Sequence, residues 1–182
     1  MLKRNLFSPR RLVTDGILIA LFYVLSLLNL EVAGVKLTLE ALPITLAALL
    51  YGVPSGALVG LLGAFLEQML RYGFTATTLL WILPPMLRGL LLGIFPGRKP
   101  RSLPVTVGVC AAVGACTALL NTAVYYLDSR IYGYYQRELI FGVLIWRVLT
   151  GAVLSAAAGA IAPVLIRALK KNGLGGIDRD RS

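Results

Sequence analysis

The chain has no histidine and only eight acidic residues among 182. Without histidine there is no His-containing zinc site, no haem held by His and no Ser-His-Asp triad. Cysteine is nearly absent too. Cys110 and Cys116 lie in an apolar run, are not spaced as C-x-x-C, and read as small packing residues. No G-x-x-x-x-G-K-[ST] occurs, so the chain cannot itself supply a standard ATPase. No catalytic constellation stands out, and neither enzyme activity, a metal nor a cofactor is expected. Charged residues make up 14%, against about a quarter in ordinary globular domains.

What fills the chain is apolar: 58% hydrophobic residues and a mean hydropathy of +0.81. The length fits one domain, and the composition makes it an integral membrane protein. The net charge of +10 need not mean nucleic acid, because the basic residues sit in short flanks between apolar spans. Positive-inside topology explains them, and no nucleic-acid partner is expected.

Six apolar spans follow in order. The first, about Leu12 to Leu30, starts at Thr14-Asp15 as an N-cap. Ala41 to Leu66 is too long for one span and breaks at Gly52-Val53-Pro54-Ser55-Gly56, giving two short or tilted helices. Gly52, Gly56, Gly60 and Ala64 form a close-packing strip. The fourth helix, about Leu79 to Phe95, has Thr77 or Thr78 at its start. The fifth runs from Val105 to Leu127 and the sixth from about Leu139 to Leu169. The first span lacks a small-residue cleavage site and is followed by more spans, so a cleavable signal is not expected.

The expected fold is thus an all-α membrane protein of six transmembrane helices with cytoplasmic N- and C-termini. Residues 1–11 form a basic tail, 12–171 the membrane domain, and 172–182 a flexible tail. Twelve of the 18 Lys and Arg residues lie in residues 1–11, the 97–104 turn and the stretch from Arg167 to the end. The outer loops hold Lys36, Arg71, Arg130 and Arg137 against five acids. That bias sets the orientation. The outer loop 31–40, where V-K-L-T-L alternates with period two, is either a partly extended lid or a plain connector.

Two arginines, Arg88 and Arg147, fall inside spans, where a lone charge is costly unless it faces a protein interior or wet cavity. Trp81, Pro84 or Pro85, and Arg88 share roughly one helix face. Acids are absent from the spans, Asp15 standing near the opposite face, so the two cations have no evident partner. They either snorkel or pair with Glu67 or Asp128, or they meet the carboxylate of a bound solute. Asn121 and Tyr125, four apart on the fifth helix, offer an amide and a ring. Gln68 and Thr78 are further polar candidates. Glu67 either pairs with Arg71 at i, i+4 or contacts solute. Near the start of the first helix, Gly16-x-x-x-Ala20 is a strip of small residues fit for close helix approach, within this chain or against another.

The segments L-T-L-E-A-L-P-I-T-L-A-A-L-L-Y-G-V-P-S-G and G-F-T-A-T-T-L-L-W-I-L-P-P-M-L-R-G-L-L-L-G, with six short spans, resemble the substrate-binding S components of energy-coupling factor (ECF) vitamin transporters. The resemblance covers about Arg11 to Lys171. It implies a bacterial cell-membrane protein with an outward-facing pocket for a small vitamin. It also implies a transmembrane coupling subunit and two cytoplasmic ATPases as partners. The family's A-x-x-x-A docking motif falls on Gly16 and Ala20, departing at the first residue. The W-I-L-P-P-M-L-R-G stretch resembles pantothenate-type members more than folate-type ones. A self-sufficient carrier or channel is the competing class, and a structural membrane protein without solute is the third.

Overall fold

A computed structural model describes residues 8–28, 30–32, 35–37, 39–94 and 102–171. Residues 1–7 of the expected N-terminal tail 1–11, the expected tail at 172–182 and most of the basic 97–104 turn lie outside them. Among the described residues there are six α-helices. They are α1 (Pro9–Leu27), α2 (Ala41–Tyr51), α3 (Val53–Tyr72), α4 (Thr78–Ile94), α5 (Leu103–Ile131) and α6 (Leu144–Lys171). A π-helical turn, Glu138–Gly142, precedes α6. Two short strands, β1 (Leu30–Val32) and β2 (Val35–Leu37), pair antiparallel with Glu31 opposite Lys36. Val35–Leu37 of the period-two pattern thus forms β2, which lies against α6.

The start of α1 differs from expectation. Ser8 is the N-cap, its hydroxyl accepting from the Arg11 amide, and Pro9 opens the first turn. A proline there gives up only an N–H that would have no helical partner anyway. Thr14 and Asp15 are therefore inside the helix rather than capping it. Asp15 instead accepts at 2.7 Å from the Ser55 hydroxyl of α3, and Ser55 accepts at 2.8 Å from Arg11 Nε. Arg11 and Asp15 are also 3.8 Å apart. This buried group ties α1 to the start of α3.

The break in the long apolar stretch falls at Gly52, whose φ of +81° needs a glycine. Pro54 then sits in the first turn of α3. α2 is apolar on all sides, and Ile44 and Ala47 are fully buried at the centre of the bundle. Phe22 of α1 and Val59 of α3 complete that core.

The glycine strip on α3 does what its spacing predicts. An added methyl on Gly56 would lie 2.7 Å from the Gly89 carbonyl oxygen of α4, and one on Gly60 would overlap the Pro85 carbonyl. Replacing Gly60 by alanine is therefore expected to destabilise the fold by about 1–3 kcal/mol, the usual range for overpacking. Thermal unfolding in detergent measures this; an unchanged midpoint would mean that α3 and α4 part without penalty. α5 and α6 meet in the same way, Gly114 against Gly151 and Ser155.

The exterior is apolar. Ile17, Leu79, Ile145, Trp146 and Val153 are all more than 60% exposed, as expected where lipid replaces water. α3, α5 and the stretch Leu144–Ala168 of α6 are each long and apolar enough to cross a bilayer. α2, with 11 residues, and α4, with 17, are shorter apolar helices.

Candidate functional site

The first turn of α2, the end of α3, and α4, α5 and α6 enclose a cavity of about 650 Å³. Trp81, Pro85 and Arg88 of α4 line it, as helical spacing requires. Arg88 lies seven residues beyond Trp81, roughly 10 Å along the axis. Pro84 and Pro85 lack the N–H groups that would bond the carbonyls of Leu80 and Trp81. α5 contributes Asn121, Tyr125 and Asp128, at spacings of four and three. α6 contributes Arg147, one turn above Gly151, and α3 contributes Gln68.

Six of the eight expected solute-contacting residues thus converge: Arg88, Arg147, Trp81, Asn121, Tyr125 and Gln68. Glu67 and Thr78 do not line the cavity. Glu67 is buried one position aside from Gln68 and lies 3.4 Å from Arg71, the local pair that i, i+4 spacing allows. The Thr78 hydroxyl turns back to accept from the Thr75 amide at 2.8 Å. Thr75 and Thr77 stand on the cavity wall instead.

The two arginines are held differently. The Arg147 guanidinium sits 4.9 Å above the Tyr125 ring, a cation–π contact. Arg88 Nε is buried and makes no hydrogen bond. The expectation that both cations lack carboxylate company is corrected, because Glu40 and Asp128 share their cavity. Glu40, just before α2, is within electrostatic range of Arg88. Both stand on helices rather than in free loops: Asp128 lies within α5, which runs on to Ile131, and Glu40 is the residue that starts α2.

Asp128 organises the aromatic wall. It accepts from Trp81 Nε1 at 3.2 Å and from the Tyr134 hydroxyl. Between these, Tyr125 packs edge-on to Trp81 at 6.4 Å and tilted on Tyr134 at 6.0 Å. Burial, and then the bond to Asp128, raise the Tyr134 phenol above its usual pKa, so it stays a donor. The i+3 step from Tyr125 to Asp128 was a legible signal for this residue.

Among the described residues no three His, Cys, Asp or Glu side chains gather as a metal site. The cavity holds charge of both signs, amides, hydroxyls and rings, which suits binding an amphipathic polar solute.

A family model, that of the ECF transporter substrate-specific component, matches residues 10–168. The chain belongs to that family. It is a substrate-binding subunit of a membrane transporter rather than an enzyme, and the family works with ECF coupling and ATPase subunits. A search of curated proteins finds no match. The substrate-specific component has its apolar exterior and internal cavity where such a role requires them. The strip Gly16 and Ala20 lies exposed on α1, and an added Cβ on Gly16 meets nothing within 4 Å.

Proposed function

We propose that the cavity captures a small water-soluble vitamin bearing a carboxylate, from outside the cell, for delivery inward. The observation that carries this reading is Arg88, a buried cation on the cavity wall whose Nε has no hydrogen-bond partner. A buried cation is expensive in a membrane, and Glu40, though close enough to favour its charge, leaves the Nε free to bond a solute carboxylate. Pantothenate is the best match to the α4 segment. Its carboxylate suits Arg88 or Arg147, and its hydroxyls and amide suit Asn121, Gln68 and Thr77. A folate-type ligand is the second reading. The Trp81–Tyr125–Tyr134 wall favours it, since these rings offer faces to a flat heterocycle beside two guanidinium groups.

In this reading the chain crosses the membrane six times with both ends inside, the connections beside the shorter helices α2 and α4 completing those two crossings. The loop 31–40 serves as a lid, and Gly16 and Ala20 dock the coupling subunit. Native mass spectrometry of the purified chain is the test. One retained small carboxylic acid is expected, its mass separating pantothenate from a folate. A chain that stays empty with either vitamin would overturn the reading. So would uptake by vesicles holding this chain alone under an ion gradient.

A further inference from the structure

We infer that residues 132–137 form a strap across the mouth of the cavity, latched by Tyr134 to Asp128, which swings aside to admit the solute. This rests on reading the cavity as the solute site.

The strap begins where α5 ends. The Tyr132 amide caps the helix by donating to the Asp128 carbonyl at 3.0 Å. Gly133 then takes a φ of +76°, which reverses the chain where a side chain would be strained. Nothing lies within 4 Å of an added Cβ there, so backbone conformation alone sets the need for glycine. The reversal turns the Tyr134 ring back over α5, onto Tyr125, with its hydroxyl on Asp128.

The next residue faces the other way. Tyr135 packs on Tyr126 at 5.6 Å, with Arg130 stacked on it at 4.5 Å, outside the cavity. One tyrosine thus holds the strap from inside and the other from outside. The outer cluster runs from α5 through the strap to Phe141 of the π-helical turn that follows it, so it acts as a pivot. The inner contact reaches α4 as well, because Asp128 also holds Trp81.

Tyr132 and Tyr134 stand on the cavity wall, as do Tyr72 and Thr75 at the α3–α4 connection. These side chains narrow the end of the cavity that the connections form. A solute the size of a vitamin enters past them only if one side yields. The strap side yields most cheaply: it is short, half exposed, and fastened from inside by one hydroxyl and one ring contact.

Hydrogen–deuterium exchange on the full chain in detergent, without vitamin, tests the latch. Tyr134→Phe keeps the ring and removes the hydroxyl. Amides at 132–137 are expected to exchange about tenfold faster, the shift given by one hydrogen bond of ordinary net strength. Asp128→Asn, a second variant, is expected to move the same amides in the same direction. Unchanged exchange at 132–137 in both overturns the latch. Pantothenate and folate are then added as probes. If the wild-type chain binds one of them, Tyr134→Phe is expected to release it faster, and an equal release rate counts against the strap. If the wild-type chain binds neither, the vitamin reading fails, while the exchange measurement still judges the latch.

Discussion

Arg88→Ala is expected to weaken vitamin binding by at least tenfold, since a charge-assisted hydrogen bond contributes about 1.5–3 kcal/mol. Two observations make this the residue to test first. Its Nε is buried without a hydrogen bond, so that part of the guanidinium has no role in holding the helices together. It also shares the cavity with Glu40 and Asp128. Once Arg88 is gone, those carboxylates face an incoming anion with one cation fewer, which adds to the loss. Arg88→Lys keeps the charge but not the planar fork, so an intermediate loss is expected. Titration calorimetry on purified protein reads all three. Unchanged affinity in Arg88→Ala would remove the residue from the site.

Gly16→Leu is expected to abolish uptake in the assembled transporter while leaving vitamin binding intact. The structure makes this a clean experiment. A side chain at position 16 meets nothing within 4 Å, so the chain itself accommodates leucine. The neighbouring surface of α1 is apolar and exposed, with Val13 at 62% and Ile17 at 63%. A bulky residue there holds an approaching helix away from the small-residue strip, and close approach is what makes such a contact favourable in lipid. Loss of binding as well as uptake would mean that position 16 matters to the fold of this chain. Full uptake would mean that the coupling subunit docks elsewhere.

Much of the site was readable because helical spacing is a local rule. Trp81 and Arg88 had to share a face once the stretch was taken as a helix, and Asn121 had to align with Tyr125. The break at Gly52 was readable for a similar reason, since glycine and proline act on their own backbone. Thr78 was less tractable. Its neighbours Thr75 and Thr77 offer the same chemistry, and only the turn into α4 decides which hydroxyl bonds to backbone and which faces the cavity. Asp15 shows the same limit. It has the chemistry of an N-cap, but Ser8 and Pro9 start the helix earlier, and Asp15 serves a tertiary bond to Ser55 instead.

The sequence by itself determined that this is an apolar helical protein, where its helices break, which charges stand within them, and which family it resembles. Those properties depend on composition and on residues within a turn or two of each other. Only the tertiary structure decided that Glu40 and Asp128 join the two arginines, that Asp128 pins Trp81 and Tyr134 together, and that Gly16 is left uncovered. Each of these depends on how separate helices cross and how their connections fold back. Trp81 and Asp128 are 47 residues apart in the chain, and no spacing rule spans that distance.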